Sequence, residues 1–128
     1  MRVKASAGRN RRIFVVDDDT SSAQALAALL LDEGYEAAVT SSSDATVALA
    51  SGACRLLLLD PSLADGAGLR LLGYAEGLGV PTIVMTSDPS FDPGRSQRGG
   101  VGSFMYKPVR LSALLGLIEA ASKPGLPS

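Results

Sequence analysis

The sequence predicts a doubly wound α/β domain built on one parallel five-stranded sheet, and three observations predict it. Arg55-Leu56-Leu57-Leu58-Leu59-Asp60 holds four leucines in a row, without alternation, closed by a carboxylate. An apolar run of that kind suits a strand covered on both faces, as in a parallel sheet. Ile13-Phe14-Val15-Val16 repeats the pattern and ends in Asp17-Asp18-Asp19. Such runs alternate with helix-like stretches over short connections, which implies βαβ units with right-handed crossovers.

Taken in order, the first strand is 13–16. Thr20, Ser21 and Ser22 offer N-cap hydroxyls, and residues 23–33 carry Leu26, Leu29 and Leu30 at helical spacing until Gly34 stops the helix. Residues 35–39 read as a short second strand. Ser41, Ser42 and Ser43 cap a helix that runs to about Ala50 and ends at Gly52. The third strand, 55–59, is stopped by Asp60-Pro61-Ser62. After the loop 61–66, a helix around Leu69, Leu71 and Leu72 is weakened by Gly73, Gly77 and Gly79 and is predicted to be short. Residues 81–85 form the fourth strand, where a proline at the first position does no harm, and run into Thr86-Ser87. The stretch 88–102 holds Pro89, Pro93, Gly94, Gly99 and Gly100 and is a poor helix, although Asp92-Pro93 could cap a turn or two. It is expected to be mobile at rest and to order when the protein is activated. Residues 103–106 are the fifth strand, ending in Lys107-Pro108, and 111–121 form a closing helix.

With 128 residues, the chain is long enough for one domain with its own core. No apolar run approaches the length of a membrane span, and the basic residues 1–12 lack the hydrophobic stretch of a secretory signal, so a cytoplasmic protein with no membrane partner is expected. Five of the twelve basic residues fall in positions 1–12, where there is no acid; the rest carries seven bases against thirteen acids. This basic arm is read as a solvated tail, and nucleic acid is not expected as a partner. Cys54 is the only cysteine and reads as a small core residue, which leaves no internal disulfide. There is no histidine, so any chemistry must run on carboxylates, hydroxyls, amines or a metal.

Parallel strands put their carboxyl ends on one edge, where ligands of open α/β sheets sit. Asp17 and Asp18, Asp60, Thr86 and Lys107 each follow or end a strand, so the fold gathers them. Three carboxylates within a few ångströms repel unless a cation sits among them, and hard oxygen ligands suit Mg²⁺. A carboxylate on Mg²⁺ beside an ammonium and a hydroxyl is also a phosphoryl acceptor site, with Asp60 as nucleophile and Lys107 and Thr86 contacting the phosphoryl oxygens. On this reading Asp60→Asn abolishes phosphorylation and leaves the fold unharmed, because a carboxylate among acids contributes repulsion.

These residues make the chain resemble the receiver domain of two-component response regulators. The features that carry the resemblance are the acidic pair Asp17-Asp18, the acceptor Asp60 with Gly68 eight residues on, Thr86 after the fourth strand, and Lys107-Pro108 after the fifth. The resemblance implies a flavodoxin-like fold of strand order 2-1-3-4-5 and a lysine-proline bond that is commonly cis. It implies Mg²⁺ on Asp17, Asp18, Asp60 and the backbone carbonyl of Ser62, and an aromatic switch at Phe104 working with Thr86. The implied partners are a histidine kinase or histidine phosphotransfer protein as donor and a downstream protein as target. The expected organisation is a basic arm 1–11, a receiver domain 12–122 and a tail 123–128, acting through its own surface without an output domain and catalysing only its own phosphorylation and dephosphorylation. The chain departs from the family's pattern at Ala64, where proline is usual, in the third helix, and in the segment of the fourth helix. The unusual fourth-helix segment keeps open a degenerate receiver that binds a partner without phosphorylation. A haloacid-dehalogenase-like phosphohydrolase, with Asp17 as nucleophile and Thr86 as second-motif hydroxyl, is the other alternative; it leaves Asp60 unexplained. A flavin or nucleotide binder is disfavoured by the acidic first loop, where a phosphate cradle wants glycines.

Overall fold

The computed structural model of the chain describes residues 11–91 and 101–122. Its elements are β1 (Arg12–Val16), α1 (Thr20–Asp32), β2 (Ala37–Val39), α2 (Ser42–Ser51), β3 (Cys54–Leu59), α3 (Ala67–Leu78), β4 (Thr82–Thr86), β5 (Val101–Tyr106) and α4 (Leu111–Ser122). All neighbouring strands pair parallel in the order β2-β1-β3-β4-β5.

The unbroken leucines are explained by burial on both faces. Leu56 and Leu58 point to one side, among Ile13, Val15, Ile83 and Met85, under Ala23, Ala27 and Leu30 of α1 and Leu114 and Ile118 of α4. Leu57 and Leu59 point to the other, with Val16 and Val84, under Ala45, Ala48 and Leu49 of α2 and Leu71, Leu72 and Ala75 of α3. None of the four leucines is more than 1% exposed, and each such side chain contributes roughly 1.5–3 kcal/mol by leaving water. Cys54 is buried at the start of the same strand, and burial pushes its thiol up to about 11. β3 is therefore fixed on both faces, and the residue that follows it is fixed with it.

Several local expectations are corrected. Helix α1 begins at Thr20, and its cap is Asp19, whose carboxylate accepts from the Ser22 backbone N–H and hydroxyl. The hydroxyls read as caps lie inside the first turn instead, because the carboxylate is the stronger acceptor for the orphan N–H groups. Strand β2 covers three residues only. Helix α3 is not short: it runs for twelve residues, entered through a 3₁₀ turn (Ala64–Gly66) and ended by Gly79 in the left-handed conformation. Each interior glycine costs about 1 kcal/mol against alanine, but the buried row Gly68, Leu71, Leu72 and Ala75 outweighs that loss. Helix α2 has the expected limits, with Ser41 as cap and Gly52 left-handed at its end. Residues 88–91 form a hydrogen-bonded turn, while most of the stretch expected to be mobile lies outside the described residues. The Asp92-Pro93 cap, most of the fourth-helix segment, most of the basic arm and the tail 123–128 lie outside the described residues. No helix among the described residues is long and apolar enough to cross a membrane.

Candidate functional site

The sheet order reverses between β1 and β3: the chain leaves β1 toward β2 on one side and returns through α2 to β3 on the other. The crevice outside the carboxyl ends at such a reversal is where open α/β sheets bind ligands. Val16 and Leu59 are register partners at this edge, and the Asp60 N–H donates to the Val16 carbonyl at 3.0 Å. Asp17 and Asp60 therefore leave adjacent strands side by side.

Lys107 arrives from β5. Its own N–H donates to the Thr86 carbonyl at 2.8 Å, extending the ladder one residue past β5, and the Lys107-Pro108 bond is cis. Its Nζ donates to Asp17 Oδ2 at 2.7 Å and to Asp60 Oδ2 at 2.8 Å. The two carboxylates are almost buried, with side chains 5% and 9% exposed, and the lysine side chain is 23% exposed. One ammonium thus offsets two carboxylates. Burial pushes the Asp60 carboxyl up, but the Lys107 and Ser62 donors outweigh it and hold the group below its ordinary value. Burial likewise disfavours the charged Lys107, yet the hydrogen bonds it donates to Asp17 and Asp60 hold its pKa above the ordinary lysine value.

The remaining oxygens are also engaged. Asp60 Oδ1 accepts from the Ser62 N–H at 2.9 Å and the Ser62 hydroxyl at 2.6 Å; Asp17 Oδ1 accepts from the Asp19 N–H at 3.0 Å. The Ser62 hydroxyl was missed by sequence reasoning, which considered only its carbonyl. Its signal was there, since a serine two residues after an aspartate at a strand end marks an Asx turn. Ser62→Ala is expected to raise the Asp60 pKa toward the ordinary 3.8, because a donor to the charged form is lost. A carboxyl ¹³C titration reads this directly, and a pKa that stays put or falls would refute it.

The other predicted site residues make no side-chain hydrogen bond to Asp17, Asp60 or Lys107 among the described residues. Asp18 is exposed, because the Asx turn at Asp17 bends the chain at once. Among the described residues no three acidic, histidine or cysteine side chains gather as a metal-holding group. Thr86 is fully buried, and its Oγ1 accepts from the Asp88 N–H at 3.0 Å. Phe104 is half-buried and stacked on Phe91, with ring centroids 5.5 Å apart. A groove of about 300 Å³ between α2 and α3, lined by Ser42, Ser43, Thr46, Arg70 and Tyr74 among others, includes none of these residues.

The donor set fits a hard divalent cation of the magnesium kind. Two carboxylate oxygens already converge on one positive centre, and Mg²⁺ takes one or two protein carboxylates and keeps waters.

Comparison with known proteins shows the family and the fold. The family model described as "Response regulator receiver domain" matches residues 13–119. The swarming motility regulation protein RssB of Serratia marcescens is 32% identical over 115 residues, 87% of this chain and 52% of that protein. The chain spans about half the length of the curated relatives heading the comparison. Among solved structures, a CheY-like response regulator receiver domain protein of Methanospirillum hungatei has a TM-score of 0.76 at 29% identity, covering 86% of this chain and 91% of that one. The beryllofluoride-activated NtrC4 receiver domain dimer has a TM-score of 0.75 at 26% identity, covering 86% and 94%.

Proposed function

The chain belongs to the response regulator receiver domain family, and from that premise we propose that it accepts a phosphoryl group from a phosphohistidine onto Asp60, in a Mg²⁺-dependent reaction, and signals by protein–protein contact. The observation that carries this reading is the shared contact of Lys107 Nζ with Asp17 and Asp60. It brings a carboxylate nucleophile, a second acid and an ammonium together at the sheet's reversal point.

On this reading Asp17 and Asp60 would hold the metal, with Asp18 and the Ser62 carbonyl as further ligands. When bound, Mg²⁺ supplies positive charge against the phosphoryl oxygens. An Asp60 carboxylate oxygen forms the new P–O bond while the donor's P–N bond breaks, and the imidazole leaves with the electron pair. The low pKa of Asp60 keeps that carboxylate charged at neutral pH. Lys107 passes from the carboxylates to a phosphoryl oxygen, and the Thr86 hydroxyl turns to donate to another, with Phe104 following as the switch. Ser62 keeps its two donors on Oδ1 and orients the carboxylate during attack. The donor is a histidine kinase or phosphotransfer protein and the target a downstream protein, in the cytoplasm. The chain acts on no substrate beyond its own phosphorylation and dephosphorylation.

Incubation with acetyl phosphate and Mg²⁺, followed by borohydride trapping and peptide mass analysis, tests the proposal. One label on Asp60 that disappears when Mg²⁺ is chelated is the expected result. Label on Asp17 would point to phosphohydrolase chemistry, and absence of label in a protein that still binds Mg²⁺ would leave a receiver that acts without phosphorylation.

A further inference from the structure

The entry to α3 is held differently from the entries to α1 and α2. Those helices are capped by the side chains of Asp19 and Ser41, whereas neither Gly66 at the start of α3 nor Leu63 before the 3₁₀ turn supplies a side-chain cap bond. Two successive residues there are left-handed, Asp65 at φ 61°, ψ 23° and Gly66 at φ 71°, ψ 9°. Glycine adopts this conformation freely, but Asp65 is the only non-glycine with positive φ among the described residues, and such a residue persists where its surroundings hold it. Arg70 supplies the hold: its Nη1 donates to the Asp65 carbonyl at 2.8 Å. The same nitrogen is the atom that a Cβ on Gly66 would meet, at 3.3 Å, so the guanidinium is folded back over both left-handed residues. The acceptor stands at the other end of this loop. Ser62 donates twice to Asp60 Oδ1, and Gly68 lies directly against the Pro61 backbone. Residues 60–70 are thus fastened at three points, Ser62 on Asp60, Gly68 on Pro61 and Arg70 on Asp65, and the third fixes the course of the chain between the other two.

We infer that Arg70 is a positioning residue for phosphorylation: by clasping the Asp65 carbonyl it keeps the turn 63–66 on its left-handed course, and so keeps Ser62 and the Asp60 carboxylate oriented for attack. The inference rests on the proposed phosphorylation of Asp60 and adds a residue to it. Arg70 is exposed, and its guanidinium bond goes to Asp65 and not to Asp17, Asp60 or Lys107, so it takes no part in the chemistry. A second way of holding the same turn is open to the chain. Leu63 is already extended, at φ −64° and ψ 151°, which is the conformation a proline imposes on the residue before it. Ala64 opens the 3₁₀ turn, where the first N–H has no acceptor within the turn. Ala64→Pro therefore stiffens the loop without supplying a charge or a donor.

The test compares the full chain as wild type, Arg70→Ala, Arg70→Lys, and Arg70→Ala combined with Ala64→Pro. Two quantities are read well below the melting temperature of each protein: the rate of labelling by acetyl phosphate with Mg²⁺, and the solvent exchange of the Ser62 amide by NMR. Arg70→Ala is expected to label about 3–10-fold more slowly, with faster exchange at Ser62. Arg70→Lys can still donate to a single carbonyl and stays within about 2-fold of wild type. Adding Ala64→Pro to Arg70→Ala is expected to bring the rate back to within about 2-fold of wild type and to slow the Ser62 exchange again. A labelling rate unchanged in Arg70→Ala overturns the inference. So does a rate that lysine restores and proline does not, because the charge then acts on the phosphodonor and not through the loop. If wild type takes no label at all, the phosphorylation reading fails instead. The Ser62 exchange then decides by itself: faster in Arg70→Ala and slowed again by proline, it shows that Arg70 holds the loop, and unchanged it shows that Arg70 does not.

Discussion

Asp60→Asn is expected to abolish labelling by acetyl phosphate and, contrary to the reading of the sequence, to lower stability at pH 7. The sequence suggested that a carboxylate among acids only repels. In the fold, Asp60 instead accepts one bond from Lys107 and two from Ser62. An amide keeps the shape but loses the charge, so the ammonium of Lys107 is left with Asp17 alone. Hydrogen bonds to charged groups contribute more than neutral ones, and a loss of about 1–3 kcal/mol is expected.

The pH dependence follows from the directions of the shifts. Asp60 has a folded pKa below its ordinary 3.8. Its contribution is therefore present above that value and is lost as pH falls through the lower, folded one. Lys107 has a folded pKa above its ordinary 10.5, so its contribution is complete below 10.5 and is lost as pH rises through the higher value. Urea melts of wild type and Asp60→Asn should differ across the neutral range and converge at pH values below 3.8. Equal stability of the two proteins at pH 7, or a gap that widens in acid, would show that the Lys107 contact does not stabilise the fold. Persistent label in the variant would remove Asp60 as acceptor.

What the sequence made legible is what leaves a linear trace. Two-face burial writes itself as Leu56-Leu57-Leu58-Leu59 without alternation, and a parallel sheet turns three distant strand ends into one edge, so Asp17, Asp60 and Lys107 could be placed together before any geometry was known. The details that stayed hidden depend on competition or on long range. Asp17, Asp18 and Asp19 are locally equivalent, yet one meets Lys107, one is exposed and one caps α1. Propensity counted the glycines of α3 against its length, whereas the length was decided by Leu71, Leu72 and Ala75 packing under β3 and β4. The partner of Phe104 lies thirteen residues earlier, in a turn that composition marked only as a poor helix.

Gly68→Ala is expected to have the other large effect, and it separates the two roles a glycine can play in one helix. A Cβ at Gly68 would lie 2.6 Å from the carbonyl carbon and 2.7 Å from the Cα of Pro61, with the carbonyl oxygen nearer still. These are backbone atoms with no flexible end to swing away, so either the first turn of α3 or the segment 60–62 must shift. Overpacking of this kind costs about 1–3 kcal/mol, more than the helix propensity that alanine returns. The segment that shifts carries Asp60 and Ser62, and misplacing a reacting group by about 1 Å is worth up to roughly 10²-fold in rate. Gly73 is the control, because a Cβ there meets nothing within 4 Å; Gly73→Ala should stabilise the protein by about 0.5–1 kcal/mol and leave labelling unchanged. Thermal melts and acetyl phosphate labelling rates of both variants give the answer. If Gly68→Ala behaves like Gly73→Ala, the close approach of α3 to Pro61 is not what holds the acceptor in place. If it folds well but labels slowly, α3 sets the position of the Asp60 carboxylate through one backbone contact.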